Sequence, residues 1–111
     1  MLSDINIKTR SQIEFIDITS QVQGVIDKSG IKEGVCSVYV PHTTAAVTIN
    51  ENADPDVIRD IITRLNEIVP LNGNYRHTEG NSAAHIKASI IGASESVFIK
   101  DGRLVLGTWQ S

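Results

Sequence analysis

The stretch NGNYRHTEGNSAAH, from Asn72 to His85, is the segment around which the rest of the chain is organised. It contains two of the three histidines, a carboxylate and several turn-forming residues, and it leads directly into a sequence with helical composition. Ser82 is the expected N-cap of that helix, so His85 takes the third helical position and its side chain leans back toward the loop. We expect His77 and Glu79 to lie nearby. This layout predicts a pocket for a metal ion, a phosphate, or both.

The composition indicates one globular domain that spans residues 1–111. The net charge of −3 argues against nucleic-acid or anionic-membrane binding, because both require clustered Lys and Arg. A single cysteine, Cys36, cannot form an intrachain disulfide, and no signal peptide or apolar run of membrane length is present. The predicted location is therefore the cytoplasm.

Before the central stretch, the spacing of apolar residues predicts a hairpin, a helix and two strands. The hairpin joins Ile5–Ile7 to Gln12–Ile18 through a turn at Ser11. A short helix follows from Ile18, with Asp17 or Thr19 as its cap and Gly30 as its terminator. The predicted strands are Val35–Val40, expected to be covered on both faces, and Ala45–Ile49.

The clearest helix start is Asp54-Pro55-Asp56, with an Asp N-cap and Pro at the first helical position; Pro70 closes this element. The helix after the central stretch ends at Gly92, and a hairpin then joins residues 96–100 to residues 103–108 through Asp101-Gly102. The fold class is α+β, with helices packed on one mixed, largely antiparallel sheet or on two sheets.

The three histidines, His42, His77 and His85, all lie where one predicted element gives way to another. Two or three imidazoles with an open position form the ligand set of a catalytic zinc or a similar ion. No HExxH signature supports the assignment. The alternative is that each histidine only makes local hydrogen bonds.

Other polar residues carry weaker signals. An acidic cluster could hold Mg²⁺ for a pyrophosphate substrate, although capping and dipole complementation explain two of its members; it comprises Glu51, Asp54, Asp56 and Asp60. Thr44 supplies a hydroxyl beside His42 and is a candidate for phosphate binding, although Thr is also a common strand residue. Cys36 fits a small core residue better than a nucleophile.

Three segments resemble the YjbQ family of small intracellular proteins, also called secondary thiamine-phosphate synthases. They are HTTAAVTINENADPDV (His42–Val57), YRHTEGNSAAHIKASIIG (Tyr75–Gly92) and GRLVLGTWQ (Gly102–Gln110). The resemblance implies a two-sheet, mostly antiparallel sandwich with three helices, assembled as a homotrimer with sites near subunit boundaries. The family continues after GTWQ with a further C-terminal strand, whereas this chain has only Ser111.

The resemblance also bears on the site. The family's histidines fall on His42, His77 and His85, which implies a divalent metal ion, zinc or magnesium, and its polar motif residues fall on Glu51, Asn81 and Ser82. The implied activity joins a pyrimidine pyrophosphate to a thiazole phosphate to give thiamine phosphate.

The leading hypothesis is a small metal-dependent enzyme that acts on a phosphorylated metabolite, with weak thiamine-phosphate synthase activity. The residues that carry it are His42, His77 and His85 for the metal, Asn81, Ser82 and Thr44 for the phosphate, and Glu51 or Glu79 as the base. The alternative is a trimeric protein that binds a metal or phosphometabolite without turnover. A third hypothesis is a scaffold whose polar loop is only structural.

The last strand predicts self-association, because Leu104, Leu106 and Trp109 lie on an edge that a small domain would struggle to cover. We expect a cyclic homotrimer with the histidine pocket close to a subunit boundary.

Overall fold

A computed structural model describes all residues from 1 to 111 and contains three helices and three strands. In chain order these are α1 (Thr19–Ser29), β1 (Gly34–Tyr39), α2 (Pro55–Ile68), α3 (Ser82–Ile91), β2 (Ser94–Lys100) and β3 (Arg103–Leu104). The strands form one antiparallel sheet in the order β1-β2-β3. The α+β class with three helices is confirmed, and the chain shows one sheet of three strands rather than two sheets.

The sheet is built on a long β1–β2 pairing and a tight β2–β3 hairpin. The first pairing runs from Gly34 opposite Ile99 to Tyr39 opposite Ser94. Asp101 and Gly102, which connect β2 to β3, have φ values of 51° and 74°, as a two-residue hairpin turn requires. The predicted turn is therefore confirmed, although β3 ends at Leu104 instead of continuing to Thr108.

Helix α1 ends at Gly30 as its sequence predicts, but its N-cap is Ile18 rather than Asp17 or Thr19, because Thr19 is already the first helical residue and Asp17 lies one residue before the cap. The Asp17 carboxylate accepts hydrogen bonds from the Thr19 backbone N–H at 2.9 Å and the Thr19 hydroxyl at 2.6 Å, and Gly30 ends the helix in the left-handed conformation with φ 70°. Gln23 then fastens α1 to the hairpin: its Nε2 donates to the Gly102 carbonyl, and its Oε1 accepts from the Leu104 N–H.

Helix α2 confirms the strongest start signal in the sequence. Asp54 is the N-cap in an extended conformation, its carboxylate accepts from the Asp56 N–H at 2.9 Å, and Pro55 is the first helical residue. None of the three helices is long and apolar enough to cross a membrane.

The buried core is small. Only seven of 111 residues are buried, and the apolar ones among them are Val22, Ile26, Val69, Ala83, Val97 and Ile99. Strand β2 alternates, with Val97 and Ile99 facing the core and Phe98 facing outward, as the pleat of a half-covered sheet requires. One chain therefore leaves much of its apolar surface uncovered.

The prediction that β1 is covered on both faces is wrong. Cys36 and Val38 are half-buried on one face, whereas Val35 and Tyr39 on the other are 59% and 68% exposed. Phe98, the register partner of Val35, is 69% exposed. The reason is that no element of the same chain packs on that face, which we call the open sheet face and define by Val35, Tyr39 and Phe98.

The predicted N-terminal hairpin does not form, although its turn does. The Glu14 carboxylate accepts from the backbone N–H groups of Arg10 and Ser11 at 2.7 and 2.6 Å, and these hydrogen bonds lower the pKa of Glu14. No backbone hydrogen bonds join the two arms into strands. The Glu14 side chain holds the turn, and the two arms are not strands because their backbones do not pair.

The segment Ala45–Ile49 is also not a regular strand. Its Val47 N–H bonds to the Gly92 carbonyl at 3.1 Å. Asn50 and Ser111 then exchange backbone hydrogen bonds, and an isolated antiparallel bridge pairs Glu51 with Gln110. The final residues of the chain therefore lie against residues 50–52, which directly follow this segment, and outside the three-stranded sheet.

Candidate functional site

The central stretch forms a loop that enters α3 one residue earlier than the sequence predicts. Asn81, not Ser82, is the N-cap, because the Asn81 carbonyl already accepts from the N–H groups of Ala84 at 3.1 Å and His85 at 3.3 Å. Neither residue makes a side-chain capping bond. Ser82 is therefore the first helical residue, and His85 is the fourth rather than the third.

His77 and His85 come together at the start of α3. Their ring centroids are 5.5 Å apart and the ring planes meet at 80°, an edge-to-face arrangement. Both rings line an open cleft of about 640 Å³, which is also lined by Asn74, Tyr75, Arg76, Ser82 and Ile86. The predicted grouping of His77, His85 and Ser82 in one pocket thus has a counterpart in the structure.

His42 does not join this pair within one chain. It is an exposed residue just before the turn at Thr43 and Thr44, and neither His42 nor Thr44 lines the cleft. The chain contains no group of three or more His, Cys, Asp or Glu side chains placed to hold one ion. The expected convergence of three histidines on a common centre is therefore not found inside a single subunit.

The two candidate bases occupy different places. Glu79 Oε1 lies 3.9 Å from His77 Nε2, and its carboxylate is mostly exposed and does not line the cleft. Glu51 is half-buried in the bridge with Gln110 and also does not line the cleft. No carboxylate is part of the cleft wall.

Asn81, a predicted phosphate ligand, presents an unusual feature beside the cleft. Its side-chain Oδ1 is buried and has no hydrogen-bond partner. A buried acceptor without a partner costs roughly 1–3 kcal/mol, a penalty that a bound cation or donor would remove. Asn81 therefore fits a site whose ligand supplies positive charge or a hydrogen-bond donor.

Tyr75 shapes the loop. Its hydroxyl donates to the Pro70 carbonyl at 2.5 Å, and its ring lies over Gly73 so closely that a Cβ there would be 2.5 Å from the ring. Only glycine fits under the ring. On the other side, α3 is tied to α2 by a hydrogen bond from Lys87 Nζ to Asn66 Oδ1.

Arg76 is the residue of this cleft that the sequence reasoning missed. It lines the cleft beside His77 and makes no ion pair or hydrogen bond, in contrast to Arg59 and Arg64, which pair with carboxylates on α2. One signal could have found it, because Arg76 is the only basic residue between Arg64 and Lys87 apart from the histidines.

A second, separate cleft of about 480 Å³ lies between the start of α1 and the hairpin. Its walls include Asp17, Thr19, Gln23 and Arg103. The Asp17 carboxylate there accepts three hydrogen bonds, from the backbone N–H and hydroxyl of Thr19 and from the side-chain amide of Asn52. These bonds lower the pKa of Asp17, and the two from Thr19 have the larger effect.

The fold and cleft define a small α+β domain with a histidine pair at a helix start, and comparison with known proteins gives its family. The family described as "UPF0047 protein YjbQ-like" matches residues 3–111. The chain is 52% identical over 110 residues to a UPF0047 protein of Methanocaldococcus jannaschii, covering 99% of this chain and 80% of that protein. It is 50% identical over 111 residues to YugU of Bacillus subtilis, covering 99% and 84%. The chain belongs to the YjbQ/UPF0047 family.

Solved structures agree with this assignment. A crystal structure of an uncharacterized YjbQ/UPF0047 protein from Clostridium acetobutylicum superposes with a TM-score of 0.92 at 54% identity, covering 94% of this chain and 81% of that one. A YbjQ-like protein of unknown function from Sulfolobus solfataricus gives a TM-score of 0.89 at 38% identity, covering 94% and 76%. The likeness extends over nearly the whole chain, so the resemblance found in the motifs is confirmed.

Proposed function

We propose that the protein is a metal-dependent enzyme acting on a phosphorylated metabolite, with His77 and His85 as ligands of a divalent ion, zinc or magnesium. The observation that carries the proposal is the pairing of these two rings at 5.5 Å in a cleft that opens onto the start of α3. Two imidazoles on one tetrahedral zinc have N–Zn distances of about 2.0–2.1 Å, which places their centroids about 5 Å apart. Imidazole pairs favour zinc over magnesium, which prefers oxygen ligands.

The remaining residues of the cleft suit a phosphate group. The first N–H groups of α3 have no intrahelical partners and carry the positive end of the helix dipole. Ser82 adds a hydroxyl at the same place. Asn81, the other predicted phosphate ligand, does not line the cleft, and its unpaired Oδ1 suits the bound ion or a donor on the metabolite rather than a phosphate oxygen. The bound ion would stabilise negative charge on a phosphoryl oxygen. Glu79 is the base of this proposal, because it is the carboxylate beside His77.

His42 enters the proposal through a neighbouring subunit. A catalytic zinc usually has three protein ligands, and one chain supplies two. His42 and Thr44 are exposed at one end of β1 and free to face another copy. We therefore infer that the partner subunit's His42 completes the ligand set at a subunit boundary, with Thr44 and Glu51 near the same boundary.

Subunit mixing tests this shared site. His42→Ala and His85→Ala chains should each assemble and each lose most zinc binding. Mixed oligomers of the two should regain some of it, because an intact site forms wherever a wild-type His42 meets a wild-type His85. Mixed oligomers that bind no more zinc than the parents would refute sharing.

Turnover is tested with phosphorylated metabolites. A thermal-shift screen should find ligands that raise the Tm, and a weak thiamine-phosphate synthase activity should appear with a pyrimidine pyrophosphate and a thiazole phosphate in the presence of the metal. His85→Ala should abolish turnover. Activity that survives this change would place the chemistry elsewhere.

One observation favours the alternative of a binding protein without turnover. No carboxylate lines the cleft, so no base is positioned in its wall. In that case the screen should find ligands that stabilise the protein, and none of them should be converted, with or without zinc.

The proposed assembly is a homotrimer in the cytoplasm. Its support is the open sheet face and Trp109, which is 63% exposed, together with a core of only seven buried residues. Soluble monomers rarely expose contiguous apolar patches of this kind. The two-sheet sandwich belongs to the same proposal, since the strand-like pairing of Asn50–Asn52 with residues 109–111 would be the start of its second sheet.

A further inference from the structure

The charge of the cleft is opposite to that of the chain as a whole. The chain carries 13 acidic and 10 basic residues, yet the cleft wall contains an arginine, two histidines and no carboxylate. The guanidinium adds positive charge beside the two imidazoles, and a bound divalent ion would add more, so the wall favours a negatively charged ligand with or without the ion. The cleft is therefore complementary to an anion.

Arg76 is the only permanently charged group in this wall, and it is uncommitted. It makes no ion pair, and the nearest acidic residue in sequence, Glu79, is placed against His77 instead. Its guanidinium therefore keeps all its donors for a ligand, and its planar fork matches two oxygens of one phosphate.

The neighbouring polar groups are also available as donors. The Ser82 hydroxyl and the Asn74 amide line the same cleft and make no side-chain hydrogen bonds. The Tyr75 hydroxyl, by contrast, is already used by the Pro70 carbonyl. A ligand in the cleft thus meets donors from Arg76, Ser82 and Asn74, while the buried acceptor without a partner, Asn81 Oδ1, is outside the cleft wall.

We propose that Arg76 binds the phosphoryl group of the ligand directly, so that the cleft takes a phosphate monoester or a diphosphate even without a metal ion. This inference rests on the proposed function for the substrate class, and it goes further by assigning the recognition residue and making anion binding independent of the ion. Arg76 is a binding and specificity residue.

The test is a titration of the metal-stripped protein with inorganic phosphate and with pyrophosphate. Binding is measured by calorimetry and by ³¹P NMR. The wild type should bind with millimolar affinity or better. Arg76→Ala should weaken binding by at least about tenfold, and Arg76→Lys should retain part of it, because a charge-assisted contact survives but the fork does not. Arg76 is exposed, and unchanged circular dichroism would show that both variants fold.

Arg103→Ala is the matched control, since Arg103 is also exposed and unpaired but lines the second cleft. It should bind phosphate as the wild type does. The proposal would be overturned by any one of three results: loss of phosphate binding in Arg103→Ala, unchanged binding in Arg76→Ala, or no binding by the metal-free wild type. Zinc titration of the same variants tests the proposed function separately. Zinc binding depends on His77 and His85, so it should persist in Arg76→Ala even if Arg76 does not bind phosphate.

Discussion

At the scale of single residues, Asp17 has the most clearly defined electrostatic role in the chain. Hydrogen bonds from Thr19, and less strongly from Asn52, hold its pKa below the ordinary value of 3.8. A carboxyl whose folded pKa is depressed stabilises the protein above its unfolded pKa, and this stabilisation is lost as the pH falls through the folded pKa. The effect of Asp17 should therefore be complete at neutral pH, begin to decline at about pH 4, near the unfolded pKa, and be lost only once the pH is below the folded pKa.

Asp17→Ala should lower the free energy of unfolding at pH 7 by about 1 kcal/mol, because the start of α1 loses its acceptor. Urea unfolding at several pH values measures the difference, which should shrink as the wild-type carboxyl is protonated. A difference that stays constant down to pH 2 would show that the carboxylate charge is not involved.

Some contacts of the site can be predicted from the sequence, and others cannot. The pairing of His77 with His85 follows from local sequence, since one loop and one helix turn carry both residues. The position of His42 does not, because it depends on tertiary and subunit contacts that no local pattern encodes. The sequence did not single out Arg76, because an arginine is recognised as a phosphate ligand only once the structure shows that it has no ion-pair partner.

At the scale of elements, α2 and α3 have starts that differ in kind. Asp54 caps α2 through its carboxylate, whereas Ser82 is the first residue of α3 and caps nothing. Asp54→Ala should therefore cost about 1 kcal/mol of stability. Ser82→Ala should be neutral or stabilise the protein by roughly a few tenths of a kcal/mol, since Ser82 makes no capping bond and Ala is a better helix former than Ser. Parallel urea titrations compare the two; an equal loss in both would mean that Ser82 caps the helix after all.

The β2–β3 turn provides another prediction at this scale. Gly102 has φ 74°, and a Cβ there would meet the Lys32 side chain at 3.3 Å. That flexible side chain can move aside, so the main cost of Gly102→Ala is the left-handed backbone, about 1 kcal/mol. Gly24→Ala in α1 is the control, because a Cβ at Gly24 meets nothing within 4 Å and should stabilise the helix instead. In thermal unfolding, Gly102→Ala should lower the Tm and Gly24→Ala should raise it.

The elements that sequence predicts well are those fixed by local chemistry. The Asp54 cap, the terminator Gly30 and the Asp101-Gly102 turn all hold, because each is decided within a few residues. The N-terminal hairpin and the strand at Ala45–Ile49 fail, because a strand exists only when another strand pairs with it. Alternating or apolar composition is therefore necessary but not sufficient.

At the scale of the whole molecule, the open sheet face predicts assembly. Sedimentation at micromolar concentration should show a trimer, and Phe98→Glu should weaken it, because an anchor of this size contributes about 2 kcal/mol or more at an interface. Ile68→Glu on α2 is the control, since Ile68 is also 69% exposed but lies outside the face. A folded, soluble wild-type monomer would contradict the proposed trimer, and equal weakening by both variants would contradict the choice of face.

The central claim is that His77 and His85 hold a divalent ion at the start of α3. The most direct measurement is calorimetric titration of the metal-stripped protein with zinc, for the wild type and for His77→Ala, His85→Ala and the exposed Arg64→Ala as a control. We expect about one zinc per subunit for the wild type and for Arg64→Ala, and affinities lowered by well over tenfold in both histidine variants. Wild-type protein that binds no zinc, or histidine variants that bind it as tightly as the wild type, would contradict this claim.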